Sequence, residues 1–105
     1  MLGPDHPNTI NAFASLAWIK LAKHRYEEAE RLLRDVLPRY EKSTPNSWRS
    51  YYAQSMLGAS LAGLGKMAEA QPLLKAGYEG LLQHQDSIPF ENRSVLDEVH
   101  HWVGH

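Results

Sequence analysis

The 105-residue chain contains no cysteine. That excludes disulfides, thiolate nucleophiles and cysteine-based zinc sites. Neither sign of charge dominates: 11 Lys and Arg stand against 12 Asp and Glu, for a net charge of −1 with His neutral. This balance gives no electrostatic footprint for nucleic acid or an anionic membrane surface. Long apolar runs are missing as well, so no segment is expected to cross a bilayer. No basic start followed by an apolar signal core is found, and a cytoplasmic location is expected. Motifs of catalysis are also lacking, with no nucleophile elbow and no Gly-rich phosphate loop. The chain is therefore read as a non-enzyme with no catalytic residue and no cofactor. Asp86, Asp97 and Glu98 read as solvated or capping acids.

What is present is helical punctuation. Pro7 followed by Asn8 marks a helix start. Ala12, Phe13, Leu16, Ala17, Ile19 and Lys20 then carry the spacing of one amphipathic face to about Lys23. His24 and Arg25 form a turn. A second helix opens at Tyr26, with Glu27 and Glu28 in the first turn, where carboxylates suit the helix dipole. Its apolar stripe is Tyr26, Ala29, Leu32, Leu33, Val36 and Leu37. Tyr40 continues that stripe, so Pro38 is expected to kink the helix and not to end it. A third helix runs from Trp48 to Leu64 with Gly65 as its C-cap residue. A fourth runs from about Met67 to Gln83, with Pro72 tolerated in its first turns. Gln85 to Phe90 reads as a loop, and a fifth helix follows, with Leu96, Val99 and Val103 on one face.

The helices repeat. Pro4/Pro45, Ala12/Ala53, Leu16/Leu57, Glu28/Glu69, Ala29/Ala70, Leu32/Leu73 and Leu33/Leu74 are identical pairs, all at an offset of 41. Ala17/Gly58 and Ala22/Gly63 are near-matches in the same register. Gly58, Ala62 and Ala70 therefore read as positions where paired helices approach closely. A repeat of helix pairs means a solenoid, in which each unit buries its face only against its neighbours. The expected fold is all-α, one domain of two antiparallel helix pairs plus a C-terminal capping helix. Repeat 1 covers about 8–42, the linker 43–47, repeat 2 about 48–84 and the terminal helix about 91–103.

Phe13, Leu16-Ala17, Ala29 and Leu33 resemble the tetratricopeptide repeat, and Gln54, Leu57-Gly58, Leu61, Ala70 and Leu74 fill the same pattern again. Leu96, Val99 and Gly104 look like the first helix of a third copy. The 41-residue step is longer than the usual 34. It resembles the longer-helix repeats of the kinesin light chain type, whose lead-in reads like Leu2-Gly3-Pro4-Asp5-His6-Pro7. The added length amounts to roughly two helical turns, or ~10 Å. Trp48-Arg49, Gln54-Ser55-Met56-Leu57-Gly58, Pro72-Leu73-Leu74 and Gly77-Tyr78-Glu79-Gly80-Leu81 look like the C-terminal repeats of certain bacterial serine/threonine protein kinases. No kinase motif accompanies them here. The resemblance implies a right-handed α-solenoid that serves as a protein–protein interaction scaffold in a bacterial signalling protein. The alternative is a homo-oligomerising structural segment that associates through exposed repeat faces. Three features depart from the family pattern. Ala14-Ser15 and Ser55-Met56 stand where peptide-clamping members carry paired Asn, Lys20 where a bulky apolar residue is usual, and His24 where Gly is usual.

In such a fold the first helix of each pair lines the concave face. By register that face is Asn11, Ala14, Trp18, Leu21 and Ala22, then Tyr52, Ser55, Ala59, Ala62 and Gly63. A partner peptide or helix would meet Trp18, Leu21 and Tyr52 as apolar anchors and Asn11 and Ser55 as polar ones. A competing reading packs Trp18 against neighbouring helices. Trp48, Arg49, Tyr51 and Tyr52 form an aromatic and basic cluster, for which inter-repeat packing is the preferred account over a cation–π grip on a partner. His100, His101 and His105 include a pair four apart. Gly104 is expected to end the helix before His105 and nothing completes a tetrahedral set, so no metal is expected.

Overall fold

Five α-helices form among residues 6–104, the span that the computed structural model describes. They are α1 (Pro7–Ala22), α2 (Tyr26–Ser43), α3 (Trp48–Gly63), α4 (Met67–Gln83) and α5 (Ser94–Val103). Two short 3-10 turns, Gln85–Ser87 and Phe90–Asn92, connect α4 to α5 where a plain loop is expected from sequence. No strand occurs among the described residues. The lead-in 2–5 and His105 lie outside them.

The 41-residue register reappears in the backbone. α1 and α3 begin and end 41 residues apart, and so do the starts of α2 and α4. His6 and Ser47 cap the first helix of each pair from extended backbone, and their side chains accept from the N–H groups of Asn8 and Arg49. Each such acceptor satisfies one of the orphan donors at a helix N-terminus. The turns match too. His24 and Gly65 both sit in the left-handed region, at φ 60 and 81. In each turn the next N–H reaches back to the preceding helix: Arg25 N–H donates to the Lys20 carbonyl at 2.8 Å, and Lys66 N–H to the Leu61 carbonyl at 2.8 Å. This is the bond pattern that closes a helix through a left-handed residue. His24 thus occupies a conformation that suits glycine, and its ring stacks on Tyr26 with centroids 5.6 Å apart.

α3 is the central helix, packed against α1, α2, α4 and α5. The main core joins Ala17, Leu21, Ala29, Leu33, Val36 and Tyr40 of the first pair to Ala53, Met56, Leu57, Leu61, Ala70 and Leu74 of the second. Full burial of a Leu or Val side chain contributes roughly 1.5–3 kcal/mol, so Leu33, Val36 and Leu61 anchor this layer. A second cluster of Trp48, Leu81, Ile88, Val95 and Val99 fixes α5 and its lead-in to the end of the second pair. α2 continues through Pro38 to Ser43.

Two expected faces differ from the observed ones. On α1 the buried residues are Ile10, Ala17 and Leu21, while Phe13, Leu16 and Ile19 of the expected stripe are exposed at 39–43 %. The apolar pattern there is real, but among the described residues no element covers it. On α5 the buried pair is Val95 and Val99, and Val103 is exposed. α3 and α4 approach closely where small residues allow it. A Cβ built on Gly58 would meet Leu74 Cγ at 2.8 Å, and one on Gly77 would meet Ser55 Oγ at 2.2 Å and the Tyr51 carbonyl at 2.9 Å. Gly80 likewise makes room for the Tyr51 ring.

Candidate functional site

The first helices of the two pairs and α5 face one another across a groove. Burial of Ile10, Ala17 and Leu21 in the core leaves Asn11, Ala14 and Trp18 along this groove. Tyr52 of α3 lines the same space. A cavity of about 370 Å³ opens there, lined among others by Asn11, Ala14, Trp18, Tyr40, Arg49 and Tyr52. A second cavity of about 490 Å³ lies toward the turns, lined by Trp18, Leu21, Ala22, Ala59, Ala62 and Gly63 among others. The two meet at Trp18 and Glu98, which line both.

Glu98 is the residue that ties the groove together. One of its carboxylate oxygens accepts from Trp18 Nε1 at 3.0 Å and from the Tyr52 hydroxyl at 2.5 Å. It therefore links α5 to both first helices, and its reading as a merely solvated or capping acid is corrected. Hydrogen bonds to an ionised acceptor are among the stronger ones. Burial pushes the Tyr52 hydroxyl far above its ordinary range, and the adjoining Glu98 carboxylate adds to that shift. Tyr52 thus stays a neutral donor. Its ring also stacks on Trp102 of α5, with centroids 6.2 Å apart and planes 5° from parallel. At the other end the Tyr40 hydroxyl donates to Asn11 Oδ1 at 2.6 Å, and burial raises the Tyr40 hydroxyl as well.

Of the residues expected along the concave face, Asn11, Ala14, Trp18 and Tyr52 line the first cavity. Leu21 and Ala59 line the second, beside Trp18. Ser55 does not join them. It is fully buried, its hydroxyl donates to the Tyr51 carbonyl at 2.9 Å, and its Oγ lies against Gly77 of α4. The close approach of α3 to α4 turns that position away from the groove, so its assignment as a polar groove contact is corrected. Trp18 keeps 43 % of its surface exposed despite its bond to Glu98.

Tyr40, Glu98 and Trp102 are among the groove residues that sequence reasoning missed. The four-residue spacing of Glu98 and Trp102 places both on one helical face, a signal available from sequence. Which helix that face meets is not. Trp48 is buried against Leu81, Val95 and Val99, in line with the packing reading of the aromatic cluster. The Arg49 guanidinium lies over the Trp48 ring at 4.7 Å and reaches the rim of the first cavity. His100 Nδ1 pairs with the Tyr78 hydroxyl at 3.0 Å. No group of three His, Asp or Glu suited to a metal forms among the described residues, and His105 lies outside them. No helix in the described structure is long and apolar enough to cross a membrane.

Comparison with known proteins agrees with this architecture. Residues 2–42 match the family model of the tetratricopeptide repeat. The match falls on the first helix pair, and the all-α arrangement of paired helices is consistent with repeats of that type. Repeats of this family generally mediate protein–protein interactions and are not catalytic in general. No curated protein and no solved structure matches the chain.

Proposed function

We propose that this chain is an interaction scaffold that binds a peptide or helix of a partner protein along its concave groove. The observation that carries the reading is the half-exposed Trp18 between two adjoining cavities, flanked by polar groups. A large aromatic in a groove is a typical interface anchor, and Trp18 has Asn11 to one side and Tyr52 and Glu98 to the other. Apolar contact would come from Trp18, Leu21, Ala14, Ala59 and the Tyr52 ring, and polar contact from Asn11. The paired Asn residues of peptide-clamping members are replaced by Ala14-Ser15 and Ser55-Met56. Recognition here therefore rests on aromatic anchoring more than on an Asn ladder to an extended backbone.

The wider setting belongs to the same proposal. Helices of 16–18 residues in both pairs support a place among the longer repeats of the kinesin light chain type. The likeness of residues 48–82 to the repeats that follow bacterial serine/threonine kinase domains supports a role in signalling.

Selection of peptides from a displayed library on the immobilised chain tests the groove. Selected peptides are expected to lose binding roughly tenfold or more to the Trp18→Ala variant, a loss of about 1.4 kcal/mol or more, with the far-ultraviolet dichroism unchanged. Equal binding to the wild-type and Trp18→Ala chains would sink the concave-groove reading. Lost helicity would reassign Trp18 to the core.

A further inference from the structure

The linings of the two cavities follow the chain. The first takes Asn11 of α1, Tyr52 of α3 and Val95 of α5, all from the N-terminal halves of their helices. The second takes Leu21, Ala59 and Trp102, from the C-terminal halves of the same three helices. The groove therefore runs along the helices, with α3 as its floor and α1 and α5 as its walls. Trp18 and Glu98 stand at mid-length, where the cavities meet. There the Trp18 indole N–H donates to the Glu98 carboxylate at 3.0 Å, from one wall to the other. A segment that fills both cavities has to cross this point. An extended strand keeps about 4.8 Å from its neighbours and a helix is about 10 Å across, so neither reaches the floor between side chains held at hydrogen-bond distance.

The two bonds that Glu98 accepts differ in their surroundings. The one from the Tyr52 hydroxyl is partly buried, beside the stack of Tyr52 on Trp102. The one from Trp18 lies at the surface, and Trp18 keeps 43 % of its area exposed. A hydrogen bond in contact with water is exchanged for bonds to water at little net cost. α5 does not depend on it. That helix is packed on α3 and α4, with Val95 and Val99 against Trp48 and Leu81, and Tyr78 pairs with His100. Breaking the Trp18 bond thus frees the indole while α5 keeps its seat and Tyr52 keeps its acceptor. The groove has two discrete arrangements, closed and open, separated by one exposed bond.

We propose that the bond between Trp18 and Glu98 is a clasp that holds the groove shut at its middle in the free chain, and that the partner segment binds by opening it. α5 is then an inhibitory element as well as a cap. The clasp presupposes the concave groove proposed above as the binding site and supplies its regulation. In the closed form the N–H of the anchoring indole is spent within the chain, and in the open form it is available to the partner. Apparent affinity falls by the fraction of chains whose clasp is open, so weakening the clasp tightens binding. If Glu98 were only a contact for the partner, its removal would weaken binding instead.

Solvent exchange of the Trp18 indole proton, followed by nitrogen-15 NMR and assigned by its loss in Trp18→Phe, tests the clasp without any ligand. In the wild-type chain it is expected to be slowed roughly fivefold or more relative to Glu98→Ala. Peptides selected on the wild-type chain should bind Glu98→Ala about threefold tighter or more, with faster association. That factor corresponds to a clasp open in roughly a third of free chains or fewer. Glu98→Gln keeps an acceptor for the Tyr52 hydroxyl but not the charge. It should move both readouts in the same direction by less, and it carries the test if Glu98→Ala loses far-ultraviolet dichroism. Equal or weaker binding to the Glu98 variants overturns the proposal. So does an indole proton at Trp18 that exchanges as fast in the wild type as in the variants. The groove reading fails on a different result, unchanged binding to Trp18→Ala, so the two failures are distinct.

Discussion

The two helix pairs share their register, caps and turns, yet they are packed by different means. In the first pair Ile10, Ala17 and Val36 fill the space between α1 and α2. Their counterparts in the second pair are Tyr51, Gly58 and Gly77, and Arg39 becomes Gly80. There the Tyr51 ring occupies the room left by Gly80, and the Ser55 hydroxyl the room left by Gly77. Large and small residues have changed sides of the interface. The first pair fills its contact with aliphatic side chains, and the second closes it by near approach of the two helices around one aromatic ring, so that neither leaves a void in a close-packed interior. Register in this chain is thus set by the punctuation at the helix ends, and helix spacing by the glycines.

Adding a side chain to the second pair is the strongest way to test that difference. Gly77→Ala improves helix propensity, but its Cβ would lie 2.2 Å from Ser55 Oγ and 2.9 Å from the Tyr51 carbonyl. The hydroxyl can rotate away, whereas the carbonyl belongs to α3 and moves only with the helix. A loss of about 1–3 kcal/mol is expected from overpacking, read as a lower urea midpoint with an unchanged slope. Ser55→Ala, which installs the Ala14 of the first pair, should recover part of the loss when combined with it. A neutral Gly77→Ala would mean that α3 and α4 do not rely on close approach.

This comparison also shows what was legible in the sequence. The four main helices, their turns and the 41-residue step follow from Pro7, Asn8, His24, Gly65 and the apolar spacing, because punctuation is local. What one helix presents to another is not local. The apolar stripe Phe13, Leu16 and Ile19 reads as a core face, since a pattern identifies an apolar face but not whether a neighbour covers it. Ser55 reads as a groove residue by register, yet the glycine-permitted approach of α4 encloses it. Glu98 escapes for the opposite reason, because its partners Trp18 and Tyr52 are 80 and 46 residues away. By contrast, every expected concave-face residue except Ser55 lies along one of the two cavities, since helical period alone groups them.

The turns supply a smaller contrast. Gly65 takes its left-handed conformation freely, while His24 at the matching position does not. A non-glycine residue there costs roughly 1–2 kcal/mol. Gly65→Ala should therefore destabilise by about 1 kcal/mol. His24→Gly should stabilise by less than that, because the unfolded chain gains freedom and the stack on Tyr26 is lost. Chemical denaturation of the two variants should move the midpoint in opposite directions. Equal shifts of one sign would show that the two turns are not equivalent.

The charged contacts give the smallest effect and separate the pairs by pH. Glu28 is held within the first pair, and its carboxyl lies below its ordinary value through its hydrogen bond to Arg25, with Lys20 adding to it. Glu30 is lowered chiefly by Arg34, which also reaches Glu69 of the second pair. A carboxyl lowered in the folded state contributes stability above the ordinary Glu range and loses it as the pH falls through that range, because the unfolded chain then binds more protons. Arg34→Gln should therefore lower the thermal midpoint near neutral pH and converge with the wild type below about pH 3. Arg34 and Glu69 are about half exposed although Glu30 is largely covered, so the neutral-pH cost of Arg34→Gln stays near or below about 1 kcal/mol and shrinks with added salt. Arg25→Gln removes the main partner of Glu28 alone and should move the midpoint less than Arg34→Gln, which breaks a bond inside α2 and another between the pairs. The reverse order would mean that the first pair depends on its own ions more than on the contact that joins it to the second.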